Sequence, residues 1–428
     1  AVQTTKTFAL AKGKKTTERF ELAAGETGIG SVTLNVEGPG GFSVSRSYPI
    51  QVRTPYFPVT NISTASLQPG ETFLANAALV DPFVPGSAEV TVSFSRIKGV
   101  EPGPLLDSLY RYPYGCSEQL TSSAMPLLFV DVLGGEAGRG PERAVRPRIQ
   151  KAVNELLERQ SSDGAFGLWR EGDGWATPWL GAYVTDFLYR SKAQGYAVPD
   201  AALDRSYQAL AQIARIDKWV SVAYDMSADE GKWSNDTSEL LRKRSAAYAM
   251  YVLARAGKAD LSDLRYFHDG LLASTPEPLA RAQIGAALAA MGDRARASSA
   301  FAKAVEALGY DNTGDYYQTP LRDVAGVLAL AAEADRSQLV DQITDDFSRR
   351  MRDPESLHTQ EKAFVLLASQ ALLKRAGPMA LSIGGVKQKD LKPAPSFTPA
   401  LAELKGGVSY KNDAEGAVFR TVMVSGAP

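Results

Sequence analysis

Apolar residues recur at helical spacing from about residue 102 to about 385, and at every second residue on either side of that stretch. A chain with this order must either build three separate bodies or bring its two outer segments together around the middle one. Before the helices, Val32-Thr33-Leu34-Asn35-Val36 and Val90-Thr91-Val92-Ser93-Phe94 alternate apolar and polar residues. Gly38-Pro39-Gly40-Gly41, Gln68-Pro69-Gly70 and Val84-Pro85-Gly86 punctuate these strands as turns. After the helices, Gly407 to Asn412 is bounded by turns and Ala417 to Val424 alternates in part. The economical solution is a helical domain inserted into a β-sandwich whose strands come from both flanks.

The middle region reads as successive amphipathic helices: 149–157, 179–189, 202–213, 245–256, 279–291, 300–308, 324–332, 339–347 and 362–373. Gly257, Gly292, Gly309 and Gly377 follow several of them, as C-terminal caps do. Short loops favour antiparallel hairpins, and about ten to twelve helices fit an α/α toroid or a solenoid. The segment Gln160-Ser161-Ser162-Asp163-Gly164-Ala165-Phe166-Gly167-Leu168-Trp169 resembles the Gln-Trp motif of terpene-cyclase-type toroids, which favours the closed ring.

Composition removes several function classes. A net charge of -1 gives no footprint for nucleic acid and no polybasic membrane patch. One cysteine excludes an internal disulfide and a Cys-based zinc site, and two histidines far apart in sequence exclude a multi-His metal site. The chemistry calls for no metal and no cofactor. Residues 1–9 are polar and Thr-rich, without a signal-peptide pattern. The chain reads as a piece of a longer polypeptide whose targeting signal and membrane anchor, if present, lie outside it.

The one cysteine sits in Tyr112-Pro113-Tyr114-Gly115-Cys116-Ser117-Glu118-Gln119. Cys116 and Gln119 are at i and i+3, so on a first helical turn they face the same side. A thiol attacking the Gln119 carboxamide expels ammonia and closes an internal thioester. A lysine amine can then take the acyl group as an isopeptide and free the thiol, once per molecule. Glu118 would assist by holding the ring or relaying the amine's proton. Tyr112, Tyr114, Phe166, Trp169 and Trp175 supply aromatic walls that would exclude water. The alternative is a buried, inert structural thiol among core aromatics.

At these residues the chain resembles the bacterial α2-macroglobulins, relatives of complement C3. Tyr112 to Gln119 matches the family's Tyr-Pro-Tyr-Gly-Cys-x-Glu-Gln. Asp163 to Trp169, Ala182-Tyr183-Val184-Thr185-Asp186-Phe187-Leu188 and Thr359-Gln360-Glu361-Lys362-Ala363-Phe364 look like further family segments. The resemblance implies a multidomain α and β architecture. An α/α toroid thioester domain (102–385) would be inserted in a CUB-like β domain (54–101 and 386–428). Part of a macroglobulin-like β-sandwich (1–53) would precede it. It also implies a fragment of a periplasmic broad-spectrum protease trap, a single-use inhibitor rather than an enzyme. Its parent would be held at the inner membrane as a lipoprotein. Its partners would be proteases captured through surface lysines, and the other domains of the parent chain.

The sequence departs from the complement-type pattern, which carries a helper histidine about a hundred residues past the cysteine. The stretch Ser227 to Glu239 has none, so the thioester is expected to prefer amines over hydroxyls. No bait region is evident. Three rivals stand beside this reading: a thioester-inactive structural or binding module of the same family, a toroid enzyme, and a Cys–His hydrolase using His268 or His358. Asp345-Asp346 alone is a weak cyclase acid motif, and nothing in the sequence brings either histidine to Cys116.

Overall fold

The computed structural model describes residues 4–23, 28–53, 56–97, 102–110, 115–133, 145–173, 177–215, 235–311, 318–351 and 356–428. By internal contacts the chain forms two units, residues 1–60, 77–89 and 424–428 in one and 61–76 and 90–423 in the other. In the first unit β1 (Gly28–Gly38) and β2 (Phe42–Val52) form an antiparallel hairpin around the predicted Gly38–Gly41 turn. Its register pairs Val32 with Tyr48 and Val36 with Val44, which collects apolar side chains on one face, while Thr33 and Ser47 meet on the other. The expected partial sandwich is, among the described residues of 1–53, this one hairpin.

The second unit carries the two larger sheets over most of their length. The remaining strands are β3 (Val59–Leu67), β4 (Thr72–Ala75), β5 (Glu89–Ser95), β6 (Met379–Ile383), β7 (Val386–Leu391), β8 (Ser396–Phe397), β9 (Val408–Asn412) and β10 (Val418–Gly426). One sheet runs in the order β3-β10-β5-β8 and the other β4-β9-β6-β7. Each sheet therefore mixes strands from before and after the helices. The sheets meet through aromatic rings: the Tyr410 ring on β9 is 5.4 Å from Phe94 on β5 and 5.5 Å from Phe397 on β8. Asn412 ties β9 to β3 and to the loop that follows it by donating to Leu67 O and Gly416 O, both at 2.9 Å. The sequence boundary at 385/386 falls inside the β6–β7 hairpin. Apolar Met379 and Leu381 already point into the sheet core, so the change from helix to strand comes at Gly377.

Fourteen helices are described: α1 (Pro102–Tyr110), α2 (Ser117–Ala124), α3 (Val130–Leu133), α4 (Val145–Leu157), α5 (Pro178–Ala193), α6 (Asp200–Ala214), α7 (Asn235–Arg255), α8 (Leu261–Tyr266), α9 (Pro278–Ala290), α10 (Arg294–Glu306), α11 (Pro320–Glu333), α12 (Ser337–Arg350), α13 (Thr359–Ala376) and α14 (Leu401–Gly406). Local chemistry sets their ends. Thr177 and Thr319 cap α5 and α11 by accepting from Leu180 N and Arg322 N at 3.1 Å, each followed by proline in the first turn. Of the four glycines expected as caps, Gly257, Gly292 and Gly377 take positive φ, and Gly309 does not.

The packing order closes on itself. Helix α2 packs on α5, α5 on α7, α7 on α9, α9 on α11, α11 on α13, and α13 returns to α2. Of these, α5, α9, α11 and α13 are buried on most faces: α13 buries every residue from Gln360 to Leu373. Helix α12, which packs only on one side, buries Val340, Ile343 and Phe347 alone. That contrast separates a core-lining helix from an amphipathic covering one. Buried charges are paired across the cycle. Arg190 on α5 bonds Asp186 at 2.8 Å, Glu333 on α11 at 2.8 Å and Tyr251 on α7 at 2.8 Å.

Small residues set how closely neighbours approach. A Cβ on Gly285 of α9 would stand 2.9 to 3.2 Å from three ring atoms of Phe301 on α10. In an exposed helix, replacing glycine gains about 1 kcal/mol of helix propensity. Here overpacking against a buried ring, roughly 1–3 kcal/mol, should outweigh that gain for a large side chain. Gly285→Leu is expected to lower the thermal midpoint; a midpoint at or above that of the unsubstituted protein would contradict this packing.

Candidate functional site

Cys116 is the N-cap of α2, with extended backbone (φ -66°, ψ 163°), and Gln119 is the third helical residue. The two form a reciprocal capping box. The Cys116 sulfur faces the Gln119 N–H, and the Gln119 Oε1 accepts from the Cys116 N–H at 3.3 Å. An ordinary capping box spends a hydroxyl and a carboxylate on orphan helix donors. This one brings a thiol and a carboxamide to the same turn.

That turn is clamped by the 160–173 loop. Ser117 N donates to Leu168 O at 2.8 Å and Ser117 Oγ to Gly167 O at 2.6 Å. Arg159 Nη1 bonds both Ser117 Oγ (3.3 Å) and Leu168 O (3.2 Å). The loop holds its own shape because the Asp173 carboxylate accepts from Leu168 N, Trp169 N and Arg170 N at 2.6 to 3.0 Å. Its glycines are required by close backbone approach. Gly164 has φ +91°, and a Cβ there would lie 2.2 Å from Arg205 O; a Cβ on Gly167 would lie 1.7 Å from Arg170 O.

Behind the turn, Glu118 points inward and is 6% exposed. Ser122, one turn on, donates to its Oε1 at 2.6 Å and also meets the Tyr183 hydroxyl of α5 at 2.9 Å. Thr359, the first residue of α13, donates to both Glu118 oxygens at 3.3 Å. Phe364 of α13 stacks on Tyr183 at 6.2 Å and 14°. Burial pushes the Glu118 carboxyl up, and Ser122, Thr359 and Gln360 pull it part of the way back. Burial also pushes the Cys116 thiol up, opposed by the backbone N–H of Gln119 and reinforced by Glu118.

The four segments that stood apart in sequence thus meet at one place. Tyr183 comes from the Ala182–Leu188 segment, Thr359 and Phe364 from the Thr359–Phe364 segment, and Gly167 and Leu168 from the Asp163–Trp169 segment. Ser122 was open to sequence reading as an i,i+4 neighbour of Glu118. Ser117, Tyr183, Thr359 and Gln360 had no local signal for their part. Of the expected aromatic walls, Phe166 is buried (1% exposed) and packs in the helical core. Trp169 stands 56% exposed, on a bend whose backbone Asp173 holds. Tyr112, Tyr114 and Trp175 lie outside the described residues, as does most of the 227–239 stretch. Neither histidine is among the groups that act on Cys116. His268 bonds Asp269 at 2.6 Å, and His358 is the exposed N-cap of α13.

No protein-family model matches the chain. It is 31% identical over 339 residues to alpha-2-macroglobulin of Escherichia coli (strain K12), which covers 76% of this chain and 20% of that protein. The native conformation of the E. coli protein aligns over 94% of this chain and 25% of its own, with a TM-score of 0.71 and 26% identity. The structure of Salmonella alpha-2-macroglobulin reacted with methylamine covers 94% of this chain and 26% of its own, with a TM-score of 0.69 and 26% identity. The chain spans about a fifth to a quarter of these relatives' length.

The Glu118 environment has a pH signature. Its folded pKa is raised above the unfolded value of about 4.3. The native state therefore holds this proton more tightly, and the associated stability is full below about pH 4.3 and lost as pH rises through the folded pKa. Glu118→Gln removes that loss. Its thermal midpoint relative to the unsubstituted protein should climb between pH 4.5 and pH 8; a difference independent of pH would contradict the raised carboxyl.

Proposed function

Because the chain belongs to the bacterial alpha-2-macroglobulin family, we propose that Cys116 and Gln119 close an internal thioester that captures an attacking amine covalently. The observation that carries this reading is the reciprocal capping box, which sets Sγ and the Gln119 carboxamide on one turn before any bond is made. Closure joins Sγ to Cδ of Gln119 and releases ammonia. Aminolysis then joins the amine nitrogen to Cδ, breaks the Cδ–Sγ bond and returns a proton to sulfur. The molecule acts once, as a covalent inhibitor and not a turnover enzyme.

On this reading the closed cycle of helices is an α/α toroid thioester domain. The two mixed sheets are the CUB-like domain in which it is inserted, and the 28–52 hairpin belongs to a macroglobulin-like sandwich. The parent is a periplasmic protease trap, anchored at the inner membrane by a lipid signal outside this chain, and its targets are proteases taken through surface lysines. The Salmonella relative's structure with methylamine supports amine reactivity of this kind.

Freshly purified, denatured protein is expected to be one ammonia lighter than its sequence mass. Methylamine should abolish the deficit and release one thiol per chain, and Cys116→Ala should show neither effect. An unshifted mass in fresh material would instead favour the thioester-inactive module. At equal concentration, glycerol should consume the thioester far more slowly than methylamine, since the 227–239 stretch carries no helper histidine. Equal rates would refute amine preference.

A further inference from the structure

Next to Thr359, and beside the Glu118 carboxyl, lies a buried carboxamide that makes no regular hydrogen bond. Gln360 is 4% exposed, and among the described residues neither its Nε2 nor its Oε1 has a hydrogen-bond partner. Native structures rarely leave both ends of a buried amide unsatisfied. Position makes this one informative. Its neighbour Thr359 reaches both Glu118 oxygens, and its own carboxamide acts on the same carboxyl without regular hydrogen-bond geometry. Glu118 is covalently next to Gln119, the acyl residue. Ser122, itself bonded to the Tyr183 hydroxyl, already holds Glu118 Oε1. Among the described residues, the Gln360 carbonyl is left without a donor.

A primary amine brings two N–H groups to an acyl carbon. It loses one as a proton and keeps the other on the new amide. A hydroxyl brings a single O–H and keeps none. We propose that Gln360 is the specificity-determining residue of the thioester reaction: its Oε1 accepts the N–H that the attacking primary amine retains, while Glu118 takes the proton that the amine loses. This rests on the thioester reading above. The balance is complete within the site. The N–Cδ119 bond forms, the Cδ119–Sγ116 bond breaks, and the proton leaving nitrogen passes through the Glu118 carboxyl to Sγ116. A site that pairs a substrate N–H rejects a nucleophile lacking it, because the site's own polar group is then left unpaired. Water also carries two O–H groups, so the same arrangement has to be kept sealed at rest, as the burial of Glu118 and Gln360 keeps it.

The test compares methylamine with dimethylamine, whose one N–H is lost on attack. Second-order rate constants for thiol release are measured on the purified protein with and without Gln360→Leu. The methylamine-to-dimethylamine ratio is expected to fall about tenfold, the factor one hydrogen bond carries. Gln360→Glu, which keeps an acceptor at that position, should preserve the ratio. If Gln360→Leu does not fold, Gln360→Met, of similar volume, carries the same expectation. An unchanged ratio in the folded Leu or Met variant, whether both amines slow together or neither does, would overturn the proposal. Absence of any thiol release from the unsubstituted protein would sink the thioester reading itself, a separately visible failure.

Discussion

The first turn of α2 is gripped from two sides, and the chemistry proposed for it depends on that grip. On one side Ser117 is bonded to the backbone of Gly167 and Leu168. On the other, Glu118 is bonded to the N-terminus of α13 through Thr359. A short helix of this kind is marginal alone. Held at both faces, it keeps Cys116 and Gln119 in the extended-then-helical geometry that a capping box needs. A strained acyl bond can persist only where its ends are held together and water is kept out. The first condition is met by the clamp and the second in part by burial.

The rest of the helical unit serves the same end. Because α13 closes the packing cycle onto α2, the residue that reaches Glu118 arrives from the opposite end of the helical sequence, 241 positions away. The inner helices are fixed to one another by fully paired charges such as Arg190 with Asp186 and Glu333. Breaking such a buried pair costs several kcal/mol, about 3–5, so the cycle resists opening locally. Its ends are joined in turn by the two sheets, since β strands from both flanks pair with one another and stack through Phe94, Phe397 and Tyr410. A helical insert whose two ends return to one sandwich leaves α1 and α13 side by side.

Much of this was legible in the sequence. The 3.6-residue pattern marks nine of the fourteen described helices, α4 to α7 and α9 to α13, while α1, α2, α3, α8 and α14 lie outside the marked ranges. Cys116 and Gln119 were visible because their interaction is local, three residues apart on one turn. Ser122 was equally local, though only the buried Glu118 gives it meaning. Thr359 and Gln360 were visible as part of a segment but not as neighbours of Glu118, because that contact depends on closing the helical cycle. The exposure of Trp169 had no signal in the sequence, because the bend that carries it is set by backbone bonds to Asp173. The expected boundary at 385/386 falls at the Gly384-Gly385 turn of the β6–β7 hairpin, within one sheet.

The central claim is that the Gln119 side chain is an activated acyl group joined to Cys116. Peptide mapping of protein treated with isotopically labelled methylamine addresses it directly. The label is expected on residue 119 alone, with the Cys116 thiol free for alkylation in the same molecules. Label spread over several glutamines, or none at residue 119 while Cys116 is alkylated equally before and after treatment, would contradict it.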